Sequence, residues 1–584
     1  MMLKGSPVKD SSKNIKDFDK GKKKNFKINK TIKRKLDEGQ ESQLKSTEKP
    51  DWKKLKLEKK ELKAKRKQKS AGGNEVYVIS LKAKKIWEEV RREDCKKERK
   101  VELCKELYEL IKEKVKSLVY AHDTVRVIET LFSAGGEDVR AKLFEELKEN
   151  ILDLCKNKYS RFFVSKILKQ GTKQQKDYVI NVMMGNVVKL MHHKIACDVL
   201  EIAYNDCANA KQRSHMIQEF FGSRFRLFKE EIPNLKTAIE KYPDLKERIL
   251  SDVNLALQPI LTKGVFTNVL MHTLLKEYLY VCSDSEKRNV IDAVREGLLP
   301  ILHTRDGARV AMLCLWNGTP KDKKLILRSF RGNMVKIAVE EYGHMVLLAA
   351  FDATDDTVFV SKAVLSELME NLDSLTENEN GKKVLRYLVA PRNKLFFHPH
   401  VLAVLEEGDK FPNSKKELML KHRELQNFVA KPILEMIHKN INVLARDSHW
   451  TLFIGAALQT LHDDLITGIF QSLAEICAEA YLPGDENHFL EVAFVCKMIS
   501  YIIQCDKQRY QEDRPIFSTY LVNAAESEMK GWCLTNRGCF ILIKLLESGI
   551  PVIIGTVKKI LSSAKSKLKK LEFPGAEILL KKLQ

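Results

Sequence analysis

An all-α solenoid of stacked helical repeats behind a basic N-terminal tail is the fold class that this sequence predicts, on three observations. Apolar pairs recur at a nearly fixed period through most of the chain, the stretches between them are amphipathic with helical spacing and show no strand pattern, and the first seventy residues are basic and almost free of periodic apolar residues. A chain of 584 residues also exceeds the size at which one hydrophobic core keeps growing, so several domains or an extended array must hold it.

The tail comes first. Residues 1 to 70 hold 25 Lys and Arg against 10 Asp and Glu, a surplus of 15 within the formal charge of +24. Clusters at Lys22-Lys23-Lys24, Lys33-Arg34-Lys35 and 63–69 (KAKRKQK) have the character of nuclear or nucleolar import signals, or of nucleic-acid-binding arms. With so few apolar residues to bury, the segment is expected to be disordered, and Ala71-Gly72-Gly73 ends it. The charge favours a polyanionic partner. Twelve cysteines lie between Cys95 and Cys539 without a C-x-x-C pair, which points to a reducing compartment and away from a zinc site. No apolar run approaches the roughly 18 residues of a membrane span, and no signal-peptide core follows Lys4 and Lys9; a soluble intracellular protein with no membrane partner is expected.

The repeats follow. Two apolar residues and a second pair four positions later share one helical face. This unit occurs as Val127-Ile128 with Leu131-Phe132, Phe163-Val164 with Ile167-Leu168, and Val199-Leu200 with Ala203-Tyr204, each 36 residues apart. It resumes 70 residues on at Val269-Leu270, continues at Val310-Ala311, Val346-Leu347 and Val384-Leu385 with steps of 41, 36 and 38, and recurs at Ile541-Leu542 with Leu545-Leu546. A single repeat cannot bury such a face alone, whereas stacked neighbours form a continuous core. The interruption between Ile232 and Pro259 is expected to bend the array into two arms. The expected division is a tail at 1–70, repeats at 95–245 and 246–390, and divergent helical repeats at 391–584.

The residues around the anchors read HDTVRVIETL (122–131), YSRFFVSKIL (159–168), HKIACDVLEI (193–202), FTNVLMHTLL (266–275), DGARVAMLCL (306–315) and YGHMVLLAAF (342–351). They resemble the second helix of Pumilio repeats, and NGKKVLRYLVAPRNKLFFHPH (380–400) is similar to the junction in the nucleolar branch of that family. The resemblance covers most of the chain after residue 95. It implies an RNA-binding face on which the first, second and fifth residues of a five-residue segment meet one base. One helical turn separates positions one and five, so they can grip a base edge while position two stacks.

Carried onto this chain, the resemblance places Arg126 and Glu129 on that face in the first repeat, Arg161, Phe162 and Ser165 with the neighbouring Lys166 in the second, and Cys197, Asp198 and Glu201 in the third. Asn268 follows in the next repeat, Arg309 after it, and Lys382, Lys383 and Arg386 at the junction. Met312 and Leu348 would stand at fifth positions, where they cannot hydrogen-bond to a base edge, so binding to phosphate and shape with weak base specificity is expected. Phe162 is a candidate stacking residue, and Trp450 reads as packing between helices.

No P-loop, G-x-S-x-G or G-x-G-x-x-G pattern appears, and the histidines at 192–193 and 398–400 lack a third ligand at metal spacing; neither an enzyme nor a cofactor or metal is expected. Asp352, Asp355 and Asp356 read as a solvated turn, since a calcium loop would need a glycine and a terminal glutamate. The resemblance implies a nuclear and nucleolar RNA-binding protein acting on pre-ribosomal RNA in large-subunit assembly. Its expected partners are that RNA, double-stranded nucleic acid, pre-ribosomal proteins, and import receptors that take the tail. A sequence-specific messenger-RNA repressor and a protein-interaction scaffold are the alternatives.

Overall fold

The computed structural model describes residues 75–263, 267–411, 414–481 and 488–584, and among these every regular element is a helix. The basic tail and its import clusters lie outside the described residues. Helix Glu75–Val90 opens the described chain, and Lys82–Gln584 forms one compact unit.

Within that unit the helices stack in two rows. The first row runs through His122–Ala134, Arg161–Gln170, Ala196–Ile202, Val269–Val281, Arg305–Asn317, Gly343–Ala353 and Glu379–Val389. It goes on through Ser448–Thr460, Ala493–Gln511, Asn536–Leu546 and Pro574–Leu583, each packed on the next, the third repeat reaching Val269–Val281 through the helical turn Ala203–Cys207 that continues Ala196–Ile202. The apolar anchors are its core: Val127, Ile128, Phe163, Val164, Leu270, Val346 and Leu385 are all buried. Phe132 and Phe163 meet edge to face at 5.5 Å, so one repeat interlocks with the next.

The second row owes its helix starts to one local device. Thr172 with Gln175, Asn209 with Gln212, Ser283 with Glu286 and Thr319 with Asp322 each form a reciprocal capping box, which satisfies two orphan N–H groups at once. The first row repeats another: a Cβ on Gly307, Gly343, Gly381 or Gly538 would collide with the carbonyl oxygen six residues earlier. The turn before each of these helices can therefore close only over glycine.

Between the third and fourth anchors the second row is elaborated by helices Ser223–Leu227, Leu235–Lys241 and Lys246–Lys263. This insertion accounts for the step of 70 residues. After residue 391 a connecting segment with helix Pro399–Glu406 leads into Leu418–Leu444, which stacks with Leu465–Cys477 and Phe517–Ala524 in the second row. All twelve cysteines are free thiols, and eight are buried. No helix among the described residues is long and apolar enough to cross a membrane.

Candidate nucleic-acid interface

The first three repeats leave their first-row helices open to solvent. On His122–Ala134 the pairs Val127-Ile128 and Leu131-Phe132 face inward, so Arg126 is exposed and Glu129 half-buried on the other side. On Arg161–Gln170 the same geometry leaves Phe162 48 % exposed beside half-buried Arg161, Ser165 and Lys166. The Arg161 guanidinium lies 4.6 Å from the Phe162 ring centre and pairs with Asp198 of the next repeat. The exposed ring is thus flanked by a cation anchored to the next repeat, and such a ring is one on which a flat partner can stack.

The structure brings Arg126, Glu129 and Lys166 together across two repeats. Burial raises the Glu129 pKa, while Lys166 and Arg126 pull it back down. Ser165 donates to the Arg161 carbonyl at 3.0 Å, turning its hydroxyl toward its own helix. Lys169, exposed on the same helix, was not among the expected residues. Continuing the count by three and four from Ser165 and Lys166 would have found it. In the third repeat Glu201 accepts from the Val269 N–H at 3.2 Å, and burial raises its pKa.

From the fourth repeat on, the expected solvent-facing row is corrected. Asn268 is buried and caps Val269–Val281, accepting from the Leu270 N–H at 3.0 Å and donating to the Cys197 carbonyl at 3.2 Å. The side-chain register is shifted by one residue there, and Met271 is in the core. Arg309 donates to the Tyr280 hydroxyl at 2.7 Å, lies 5.0 Å from the Trp316 ring centre and is ion-paired with Glu407. Met312 and Leu348 are fully packed.

A second cause acts on the next two repeats: the segment 391–411 folds back over the first-row helices Arg305–Asn317 and Gly343–Ala353. Phe411 stacks on Trp316 with centres 6.0 Å apart and planes 14° apart, Gly408 lies against the same indole, and Glu407 holds Arg309. The segment turns back at Arg392, whose φ of 54° is unusual for a residue with a Cβ. Asp352 anchors this reversal, and it is not the solvated turn expected from sequence. Its buried carboxylate accepts from Tyr387 Oη at 2.6 Å, Arg392 Nη2 at 2.7 Å and His422 Nε2 at 2.8 Å. Burial alone would raise its pKa, but the His422 contact and the Arg392 charge hold it below the ordinary value.

The junction lysines and arginine are likewise engaged. Lys382 pairs with Glu379 at 2.7 Å and lies 5.9 Å from the ring centre of buried Trp450, Lys383 donates to Asn380 at 3.0 Å, and Arg386 donates to the His449 carbonyl at 3.1 Å. Lys382 and Arg386 tie Glu379–Val389 to Ser448–Thr460, and Lys383 is engaged within its own helix, so the three do not form a free cationic row. Among the described first-row residues the open face is thus confined to Arg126, Glu129, Phe162, Lys166 and Lys169 with their neighbours, where a ligand can reach both cations and an aromatic ring.

The model of the NOP9-like PUF repeat domain matches residues 55–383, and that of the CPL (NUC119) domain matches residues 377–515. Pumilio homolog 3 of Homo sapiens is 34% identical, over 98% of this chain and 89% of its own length. Pumilio homology domain family member 6 of Schizosaccharomyces pombe is 27% identical over 86% of this chain and 80% of its own. The crystal structure of human Puf-A superimposes with a TM-score of 0.77 at 34% identity, covering 87% of this chain and all of that one. Human Puf-A in complex with DNA gives the same score, covering 86% and 99%.

Proposed function

The chain belongs to the NOP9-like PUF repeat family, and from that premise we propose that it binds nucleic acid through the open face of its first repeats, reading backbone and shape with little regard to base identity. The observation that carries this is the exposed Phe162 held by Arg161 between the cations Arg126, Lys166 and Lys169. Base stacking on an aromatic platform is tolerant of sequence, and lysine and arginine supply the phosphate contacts. That a similar protein, human Puf-A, has been crystallised with DNA supports a nucleic-acid ligand. Reading of a long motif base by base is disfavoured, because 391–411 covers the face where two further bases would have to lie.

In this reading the physiological ligand is pre-ribosomal RNA in the nucleolus, and the protein acts in large-subunit assembly by binding and not by catalysis. The basic tail engages import receptors and adds unspecific affinity for RNA. Pre-ribosomal proteins are its neighbours there. The test is a salt series of RNA affinities for the full chain and for Arg126→Gln/Lys166→Gln/Lys169→Gln. Each lost phosphate contact is expected to lower the slope of log affinity against log salt by about one. Phe162→Ala is expected to weaken binding by roughly 1–3 kcal/mol without altering that slope. An unchanged slope and affinity in both variants would place the nucleic-acid path elsewhere.

A further inference from the structure

We propose that the second row carries a docking surface for a short acidic peptide with an apolar anchor, centred on Leu227 and Phe228 in the insertion between the third and fourth anchors. These two neighbours are 71 % and 67 % exposed, and large apolar side chains side by side in water mark an interaction site more often than single ones do. The surface lies on the row opposite the open face of the first repeats and does not depend on the nucleic-acid reading.

Their exposure is imposed by the structure around them. Just before them, Phe225 is buried edge-on between Phe221 and Tyr242. The Phe228 N–H donates to the Arg224 carbonyl at 2.8 Å. Just after them, Lys229 pairs with buried Glu219 at 3.1 Å and donates to the His215 carbonyl at 2.8 Å, while Gln218 donates to the carbonyls of Glu230 and Ile232. Residues pinned on both sides hold Leu227 and Phe228 out of the core without leaving them free to fold back.

Beside them runs a groove of about 340 Å³ with a floor of Phe221, Phe225 and Ile249, bounded by Arg224 and Leu227 on one side and by Leu245, Arg248 and Asp252 on the other. Its size suits one or two apolar side chains. Along helix Lys246–Lys263, Leu255 lies on the same face as Arg248 and Asp252 and is 66 % exposed, which prolongs the apolar strip by a turn. Arg224 at the groove's edge is ion-paired with Glu230 at 3.6 Å, whereas Arg248 in the groove wall and Arg226 next to Leu227 are exposed and engaged by no described side chain, so two unpaired cations face the single unpaired carboxylate of Asp252. Exposed arginines around an apolar centre suit a carboxylate-bearing partner, and such anchors concentrate binding energy. The chain's own tail is strongly basic and is repelled by them, so the occupant is a segment of another protein: an extended or helical peptide that places a Leu or Phe in the groove and Asp or Glu at its rim.

The test is selection from a displayed library of random twelve-residue peptides on the immobilised full chain, with each selected peptide compared with its scramble of equal charge. The expected result is enrichment of peptides combining Asp or Glu with Leu, Phe or Trp, which bind at least tenfold better than their scrambles. Leu227→Ser/Phe228→Ser is expected to abolish that preference and Arg226→Gln/Arg248→Gln to weaken it several-fold. Since all four side chains project into water, the variants are expected to keep wild-type helical content. Selected peptides that bind no better than their scrambles, or that bind the serine variant equally, overturn the proposal. So does a loss of affinity for a single-stranded RNA oligonucleotide, in place of peptide, in the serine variant.

Discussion

At the scale of single residues, the same side-chain type does opposite work depending on what its helix faces. Arg126 stands in water while Arg309, at the same motif position four anchors later, is sandwiched by Tyr280 and Trp316 and paired with Glu407. Asn268 carries a helix cap and a tie to the previous repeat, so Asn268→Ala is expected to cost about 1–2 kcal/mol in urea unfolding. Asn268→Asp should recover the cap part, and RNA affinity measured on the folded fraction should stay unchanged in both. Glu277 offers a pH test. Its carboxylate accepts from the Leu235 N–H at 2.8 Å, and burial raises its pKa from 4.5 to about 7. A carboxyl with a raised folded pKa takes up protons on folding, so its contribution is largest below pH 4.5 and falls as pH rises toward 7. Glu277→Gln keeps an acceptor without the charge. Relative to wild type it is expected to gain on the order of 2 kcal/mol between pH 4.5 and 8; unfolding midpoints that run parallel across that range would exclude the assignment.

At the scale of elements, the helices themselves were legible and the covering segment was not. The anchor pairs from Val127 to Leu385 proved to be core except at Val269, which is only half-buried because the buried face there is shifted by one residue to Leu270 and Met271; helical spacing reports a buried face directly. The open face of the first two repeats was legible for the same reason, since what does not face inward in an uncovered row must face water. The face at Arg309, Met312 and Leu348 was misjudged because its cover comes from a residue 98 positions later in the chain, and no periodicity encodes such a fold-back. Loosening the cover is the matching experiment. Asp352→Asn leaves Arg392 and His422 beside a neutral partner in a buried site and is expected to cost about 3–5 kcal/mol. Glu407→Ala/Phe411→Ser, which act only where the cover meets Arg309 and Trp316, should make 391–411 sensitive to limited proteolysis while the remaining array stays resistant. Resistance equal to wild type would mean that the segment is held by its ends alone.

At the scale of the whole molecule, a row in which each helix packs mainly on its neighbours distributes stability along the chain instead of concentrating it in one core. Local changes should therefore stay local. Removing residues 1–70 is expected to abolish nucleolar enrichment in cells while leaving the melting of the rest within a degree or two, since the tail holds most of the net charge and none of the anchors. Unaltered localisation of the truncated protein would show that the address lies in the repeats. The buried thiols have a consequence of another kind. Burial pushes Cys155, Cys282 and Cys539 up to about 12 and Cys104 up to about 11, so at pH 8 none of them is a thiolate until its own surroundings open. Because they are strung from one end of the array to the other, the rate at which a small alkylating reagent tags each one would serve as a row of clocks, timing how often each stretch of the protein breathes without any probe having been added to it.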